Sequence, residues 1–335
     1  MLRAVLMIAL LGSLFWSGCD LSSPDPPVVK DAFLLGTVVT IRAHGDQPDD
    51  ELREILEDTM TLMDEVGSQL SVYEPTSEIN AINREPDQTT TVSDDLRYCL
   101  EIGLRIAEKS EGAYDPTVGP LVDLWRFYDD EPESPPDYRD IQERLDQVDY
   151  RRVDLQNNTL QLEAEMALDI EAINKGYAAD QARDYLRQQG VSGALVSAGV
   201  SSVAALGTAP EGRLWRVGLE HPRRGGEVYA AINLEDGECL STSGDYQRYF
   251  EHEGTRYPHI LDARTGWPGQ SFQAVTVLAD NSTFADALST ALFAMKPEAA
   301  FELVEQLEDV EAVFILATGE RTLSSGMEER LEILE

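Results

Sequence analysis

The amino-acid sequence predicts an α+β fold in which largely antiparallel sheets pack against helices. Apolar residues recur at helical spacing in segments 50–66, 93–110 and 175–189. From residue 194 onward, most apolar residues fall instead in short runs that are typical of strands. Helices and strands are therefore partly segregated along the chain, whereas a doubly wound parallel sheet would need a strict alternation of the two.

The first 18 residues have the pattern of a bacterial lipoprotein signal peptide. A basic start at Arg3 precedes an apolar run over 4–16 that is too short to span a bilayer. Small residues then precede Cys19, which we expect to become the lipidated N-terminus. The alternative is a plain secretory signal in which Cys19 is incidental, and Trp16 stands where lipoprotein signals usually have leucine.

Residues 19–31 are rich in proline and polar side chains, and we interpret them as a tether. Asp20, directly after the cysteine, resembles an inner-membrane retention signal. We therefore expect a protein that is lipid-anchored to the cell inner membrane on its periplasmic side. A single catalytic domain over 32–335 is predicted to follow.

The elements of this domain can be predicted in order. A strand over 34–45 contains Val38, Val39 and Ile41 and ends at Gly45. The three helices named above follow, and Gly112 and Gly190 are typical helix stops. The remaining elements are strand-rich segments over 194–206, 214–221, 227–234 and 273–279, an apolar helix over 284–292 and a strand over 312–317.

The charge of the chain limits its partners. The 62 acidic residues outnumber the 26 basic ones and give a net charge of −36. This balance argues against nucleic acid as a partner and against electrostatic binding to anionic lipid. A cationic partner would fit, but a solvated acidic surface is the simpler interpretation. Beyond the leader, Cys99 and Cys239 are predicted to be buried free thiols rather than a disulfide.

The last predicted helix carries an acid and a hydroxyl among apolar residues. Asp286 and Thr290 are four residues apart, so they lie on the same helix face. A carboxylate in apolar surroundings needs a partner, because unpaired buried charge is costly. A helix-terminal carboxylate beside a back-bonded threonine would explain the pair, and a ligand site would explain it too.

Three further segments concentrate candidate residues. In 168–180, Asp169, Glu171, Lys175 and Asp180 crowd a predicted strand-to-helix junction, where backbone amides suit an anion and carbonyls suit a hard cation; a capped helix start is the alternative. In 112–125, a path rich in proline and glycine presents Tyr114 and Asp115. In 259–266, His259 precedes Asp262 and Arg264 in one loop.

Eight blocks that include these segments resemble the ApbE family of FAD:protein FMN transferases. The blocks occur in order as LGTVVTI (35–41), LSVYEPTSEINAIN (70–83), AYDPTVGPLVDLW (113–125), LDIEAINKGYAAD (168–180), SAGVSS (197–202), TSGDYQRY (242–249), HILDARTGWP (259–268) and ADALSTAL (285–292). Four positions depart from the family pattern: Leu35 replaces Met, Asn174 replaces Ala, Val200 replaces Gly and Ala263 replaces Pro.

The resemblance implies a two-lobed catalytic unit with an FAD and magnesium site between the lobes. Asp286 and Thr290 would hold Mg²⁺ together with the backbone carbonyl of Ala172. The implied FAD site is lined by Leu35, Tyr73, Ala113, Tyr114, Asp115, Asp169, Lys175, His259 and Ile260.

The resemblance also implies a reaction, in which the FMN part of FAD passes to a threonine or serine hydroxyl of an acceptor protein and AMP is released. We expect His259 to be the base, with Asp262 or Arg264 orienting it, and a subunit of a membrane redox complex to be the acceptor. A Mg²⁺-dependent FAD hydrolase and a non-catalytic flavin-binding lipoprotein are the alternatives that the sequence leaves open.

Overall fold

The structure is a computed structural model that describes residues 26–127, 132 and 134–334. The predicted signal peptide at 1–18 and the lipidation site Cys19 lie outside the described residues. Within the described residues, no helix combines the length and the apolar character that a bilayer-spanning segment requires.

The described residues form eighteen strands and eight α-helices. The strands are β1 (Val28–Leu34), β2 (Thr37–His44), β3 (Thr90–Thr91), β4 (Asp154–Gln156), β5 (Thr159–Gln161), β6 (Gly193–Ala198), β7 (Ser202–Gly207), β8 (Trp215–Glu220), β9 (Val228–Leu234), β10 (Cys239–Gly244), β11 (Tyr249–His252), β12 (Thr255–Pro258), β13 (Leu261–Asp262), β14 (Trp267–Pro268), β15 (Phe272–Ala279), β16 (Glu311–Leu316), β17 (Arg321–Leu323) and β18 (Leu331–Ile333). The helices are α1 (Asp49–Gln69), α2 (Glu78–Arg84), α3 (Asp94–Lys109), α4 (Gly119–Trp125), α5 (Tyr138–Leu145), α6 (Glu171–Gln188), α7 (Ser282–Ala294) and α8 (Pro297–Glu305).

The main sheet has eight strands in the order β1-β2-β6-β7-β10-β15-β16-β17, and every neighbouring pair is antiparallel. The predicted α+β class with largely antiparallel sheet is therefore confirmed. The helices predicted over 50–66, 93–110 and 175–189 correspond to α1, α3 and α6. Segment 194–206 forms a hairpin, because Gly199 adopts a φ of 66° and begins the turn between β6 and β7.

The first strand begins earlier than the sequence predicted. β1 starts at Val28, so residues 28–31 belong to the sheet although they were assigned to the tether over 19–31. Val28 itself is buried, and the strand pairs with β2 along its whole length. Burial of alternate residues of β1 against α1 stabilises this early part of the strand, which the composition of the segment did not indicate.

A tight turn replaces the start of the strand predicted over 34–45. Strand pairing brings Leu34 opposite Thr37, so only Leu35 and Gly36 connect β1 to β2. Their φ angles are 54° and 67°. Two successive residues with positive φ are the signature of the type I′ turn, whose twist matches that of antiparallel strands.

The main sheet separates two hydrophobic cores. Alternate strand residues divide between them: Val196 and Val275 pack with the helices α1, α3, α6 and α7, whereas Leu195 and Ala274 face the small sheet β18-β9-β8. β15 is buried at every position, as expected for a strand that is covered on both faces. Cys99 and Cys239 are buried free thiols, as predicted.

The helices α6 and α7 approach each other unusually closely at Gly176. A Cβ atom at this position would lie 2.3 Å from the carbonyl oxygen of Ser282 and 2.8 Å from the Cβ of Asp286. Asp180, one turn further along α6, accepts hydrogen bonds from the backbone N–H groups of Ser282 and Thr283 at the start of α7. Asp180 therefore caps α7 and fixes the register of the two helices.

A smaller lobe forms around Trp125 at the end of α4. The Trp125 ring stacks on Phe127 at 5.4 Å between centroids, and its Nε1–H donates to the carbonyl of Gly266 at 2.8 Å. The hairpins β11–β12 and β13–β14 and the helix α5 contribute the remaining apolar residues of this core. The lobe carries segments 112–125 and 259–268 against the main body.

Candidate active site

A cavity of about 800 Å³ lies where the two lobes meet. Its walls come from the β1–β2 turn, the end of α1, loop 71–74, the starts of α4 and α6, the end of β10 and α7. Of the predicted site residues, the cavity is lined by Leu35, Tyr73, Tyr114, Asp115, Asp169, Ala172, Lys175, His259, Ile260, Asp286 and Thr290. Residues far apart in the sequence are thus brought to one place.

Asp286 is a deeply buried acid of this group, with 5% of its surface exposed. Its Oδ2 accepts a hydrogen bond from the Gly176 N–H at 2.9 Å, and its Oδ1 accepts from the hydroxyls of Ser241 at 2.6 Å and Ser202 at 3.1 Å. Burial raises the pKa of Asp286, while Lys175 and these three donors lower it. The carboxylate is therefore held in one orientation at the cavity wall.

The donor set around Asp286 fits a hard divalent cation. Asp286 supplies a carboxylate and Thr290 a hydroxyl, and Ala172 lines the same cavity one turn before Gly176. The Gly176 N–H, four residues after Ala172 in α6, donates to Asp286 and so ties this turn of the helix to the carboxylate. Oxygen ligands with a single carboxylate are what Mg²⁺ takes when a substrate diphosphate completes its shell.

Lys175 provides a positive charge of the cavity wall, which Arg248 also lines. Within the described residues, no hydrogen bond or ion pair holds its ammonium group. Lys175 nevertheless lowers the pKa of both Asp286 and His259, so its charge acts on both sides of the cavity. An ammonium in this position suits an anionic group such as a phosphate.

His259 lies half-buried across the cavity. Its Nδ1 is 3.1 Å from the carbonyl oxygen of Arg248. A carbonyl only accepts, so this contact favours the tautomer with the proton on Nδ1 and the lone pair on Nε2. Burial, and then the charge of Lys175, lower the pKa of His259 to about 4. The imidazole is consequently neutral at pH 7, which is the form a base requires.

Asp169 and Tyr114 form the deep end of the cavity. Burial, and the neighbouring charge of Glu171, raise the pKa of Asp169 to about 7. The Tyr114 hydroxyl and the Asn174 Oδ1 are both buried and have no hydrogen-bond partner among the described residues. Such atoms are costly when unpaired, so they indicate where a bound molecule offers polar groups.

Asp115 has a structural role. Its Oδ1 accepts from the N–H and hydroxyl of Thr117, and its Oδ2 accepts from the Tyr150 N–H at 2.8 Å. Burial raises the pKa of Asp115 and these donors lower it. The carboxylate thereby fixes the loop that carries Tyr114, so any contact of Asp115 with a ligand is additional to this structural use.

The predicted residues Ala113, Asp262 and Arg264 lie outside the cavity lining. Ala113 is fully buried, and its carbonyl accepts from the Ala263 N–H at 3.1 Å, a bond that the proline of the family pattern could not donate. The carboxylate of Asp262 binds the Arg264 guanidinium through both oxygens at 2.8 Å. Asp262 and Arg264 therefore stabilise their own loop. The prediction that one of them orients His259 is not borne out by these contacts, because the Arg248 carbonyl contacts the imidazole instead.

Glu171, a candidate charge in the sequence, anchors the loop that carries Tyr73. Its Oε1 accepts from the Ser71 hydroxyl at 2.6 Å and from the Val72 N–H at 3.0 Å. Tyr73 lies at the cavity mouth with 47% of its surface exposed. The first turn of α6 thus supports the loop at the mouth and also carries Ala172 of the cavity wall.

Sequence reasoning missed the residues that orient Asp286. Ser202 and Ser241 were not singled out, although both lie in or beside the resembling blocks. Gly176 was considered only as part of a motif. In the structure its N–H donates to Asp286, and its lack of a side chain allows α6 and α7 to approach closely. Hydroxyl residues in strands that are otherwise apolar were the available signal.

Comparisons with known proteins identify relatives of the chain. A model of the ApbE family matches residues 35–314. An FAD:protein FMN transferase from Treponema pallidum is 33% identical over 320 residues, covering 90% of this chain and 88% of that protein. One from Haemophilus influenzae is 34% identical over 278 residues, covering 80% and 78%.

Solved structures of the same family superpose on the chain. The crystal structure of an ApbE protein from Thermotoga maritima has a TM-score of 0.83 at 30% identity and covers 91% of this chain and 99% of its own. The flavin transferase ApbE from Vibrio cholerae has a TM-score of 0.80 at 28% identity, covering 90% and 98%.

The electrostatics of His259 can be tested by titration. In the flavin-free and metal-free protein, we expect histidine-selective NMR to show a midpoint near 4 for His259, with the signal assigned by its loss in His259→Gln. A lowered pKa means that protonation disfavours the folded state, so this contribution to stability is lost as pH falls from about 6.5 towards 4. Lys175→Met should raise the midpoint, and a wild-type midpoint at or above 6.5 would contradict the assignment.

Proposed function

The chain belongs to the ApbE family and is a transferase that moves flavin to protein, and we propose that it joins FMN from FAD to a threonine or serine hydroxyl of its acceptor with release of AMP. The observation that carries this proposal is the shared cavity. The oxygen ligands Asp286 and Thr290, the ammonium of Lys175 and the neutral imidazole of His259 all line it. Its volume of about 800 Å³ suits a dinucleotide.

We propose that Mg²⁺ is the cation of this site, held by Asp286, Thr290 and the carbonyl of Ala172. When bound, the ion supplies charge neutralisation at the diphosphate oxygens. Ser202 and Ser241 keep the Asp286 carboxylate oriented, and Lys175 adds a second positive charge for the diphosphate.

The proposed step is a displacement at phosphorus. The acceptor hydroxyl oxygen bonds to the phosphorus on the FMN side, and the bond from that phosphorus to the bridging oxygen breaks, so AMP leaves with this oxygen. Nε2 of His259 accepts the hydroxyl proton. The hydrogen bond between His259 and the Arg248 carbonyl supports this role, because it keeps the other ring nitrogen protonated.

Hydrolysis of FAD to FMN and AMP is the second candidate. The same residues would act, with water in place of the acceptor hydroxyl, and the exposed position of Tyr73 at the mouth leaves the cavity open to solvent. A flavin-binding lipoprotein without turnover is a weaker candidate, because a purely binding site does not need a neutral histidine opposite a cation site.

The acceptor and its location belong to the same proposal. We propose a subunit of a membrane redox complex as the acceptor and a lipid anchor at Cys19 on the periplasmic face of the inner membrane. The leader pattern over 1–19 supports the anchor.

The reaction itself predicts a covalent product. Incubation of the protein with FAD, Mg²⁺ and a candidate acceptor should add the mass of FMN less one water to the acceptor, with one AMP per flavin transferred. Asp286→Asn should lower the rate by about 100-fold or more, since the metal charge acts on the transition state. Asp64→Asn, an exposed acid on α1, is the matched control. Free FMN without labelled acceptor would favour the hydrolase, and full activity of Asp286→Asn would refute the metal site.

The base assignment predicts a separation of binding from chemistry. His259→Ala should slow transfer by about 10²–10⁴-fold, the usual contribution of a general base, and should leave FAD affinity within a few-fold of wild type. Transfer rates at saturating FAD and flavin-fluorescence titrations provide the two measurements. Equal loss in both would make His259 a binding residue and would remove it from the chemical step.

The anchor predicts a change of compartment. Wild-type protein expressed with its leader in a Gram-negative host should sediment with inner membranes and incorporate labelled palmitate. Cys19→Ser should lose the label and the membrane association, while Cys99→Ser, which alters a buried thiol, should keep both. Unlabelled wild-type protein in the periplasmic fraction would show that the leader is a plain secretory signal.

A further inference from the structure

We propose that Ser243 and Ser289 are positioning residues, which fix the hydroxyl of Thr290 so that its oxygen lone pairs face the proposed cation site. The inference rests on the proposed function, because it explains how one ligand of that site is held. Both serines are buried, Ser289 on α7 completely and Ser243 on β10 with 7% of its surface exposed.

The side chains of these three residues form a continuous hydroxyl chain. The Ser289 hydroxyl donates to the backbone carbonyl of Asp286 at 3.0 Å. The Ser243 oxygen lies 2.9 Å from the Ser289 oxygen and 3.3 Å from the Thr290 oxygen. Ser243 and Thr290 line the cavity, whereas Ser289 is not part of its lining. The hydroxyl chain therefore runs from the cavity wall into the interior.

The direction of the protons follows from the end of the hydroxyl chain. A carbonyl only accepts, so Ser289 uses its single proton on Asp286 and has to accept from Ser243. Ser243 has then used its own proton, so it has to accept from Thr290. Only this order provides a proton for all three contacts. The proton of Thr290 consequently points to Ser243, and the lone pairs of its oxygen remain available to a cation.

Strand β10 supports both side-chain ligands of the proposed cation site. Ser241 and Ser243 are two residues apart, so they lie on the same face of β10 and about 6.6 Å apart. Asp286 and Thr290 are four residues apart and therefore about 6 Å apart along α7. Because the two spacings match, Ser241 donates to Asp286 at 2.6 Å while Ser243 contacts Thr290.

The orientation of a hydroxyl ligand affects how well it binds a cation. A hydroxyl that turned its proton towards the cavity would present the positive end of its dipole to the ion. Removal of a group that orients a metal ligand typically lowers metal affinity by about 10–100-fold. The alternative is that the three hydroxyls only satisfy one another. In that case their loss would change the stability of the fold and leave cation affinity intact.

Binding of Mn²⁺ tests the proposal without measuring transfer. Mn²⁺ takes the same kinds of oxygen ligand as Mg²⁺, and EPR distinguishes its free and bound forms. With the full chain and FAD present, we expect Ser243→Ala to weaken Mn²⁺ binding by about 10–100-fold. Ser289→Ala should weaken it too, because the Ser243 proton can then turn to Thr290.

Thr276→Val is the matched control. Thr276 is a buried residue of β15, and its hydroxyl lies 2.9 Å from that of Thr242. The substitution removes one buried hydroxyl contact from the same sheet without touching the hydroxyl chain, so Mn²⁺ affinity should stay at the wild-type value. Thermal unfolding followed by circular dichroism checks that each variant is folded. If Ser243→Ala does not fold, Ser289→Ala provides the same test.

A double variant separates positioning from a structural role. Thr290→Val removes the hydroxyl that Ser243 is proposed to hold, so the addition of Ser243→Ala should cause no further loss of Mn²⁺ affinity. Losses that multiply in the double variant would overturn the proposal. Wild-type affinity in both serine variants, or an equal loss in Thr276→Val, would overturn it as well. A wild-type chain that binds no Mn²⁺ with FAD present would instead refute the cation site of the proposed function, and the positioning role with it.

Discussion

The carboxylate of Asp286 and the backbone N–H of Gly176 join the two helices on which the active site depends. This hydrogen bond forms only because residue 176 has no side chain, since a Cβ there would collide with the carbonyl of Ser282. The close approach brings Lys175 on α6 and Asp286 on α7 to the same cavity wall. A larger residue at 176 would separate the helices and, with them, the positive and negative groups of the site.

The same contact explains the balance of charges in the cavity. Burial alone would favour the neutral form of Asp286, but Lys175 and three hydrogen-bond donors act in the opposite direction. For His259 the two effects act in the same direction, because burial and Lys175 both disfavour its charged form. Lys175 thus favours the anionic form of Asp286 on one wall and the neutral form of His259 on the other. Both groups can keep these forms because they lie in different environments.

The sequence predicted the positions of the long helices, but it did not predict the order of the strands in the main sheet. The apolar periodicity of α1, α3 and α6 is local, so each helix could be located from its own residues. The eight-stranded sheet depends on pairings between distant segments, such as β2 with β6, which no local pattern encodes. The start of β1 at Val28 was missed for the same reason, because its partner β2 lies beyond the following turn.

The candidate site divides along similar lines. Motif spacing located the groups that line the cavity. It could not assign the roles of Asp262 or Asp115, since a carboxylate that supports its loop looks the same in sequence as one that contacts a ligand.

The early start of β1 limits the length of chain between the sheet and Cys19. Nine residue steps separate Cys19 from Val28 and cannot extend beyond roughly 30 Å. With a lipid at Cys19, the enzyme would stay within a short distance of the bilayer surface. Acceptor proteins embedded in that bilayer would then be at a high local concentration near the active site, whereas freely diffusing ones would not.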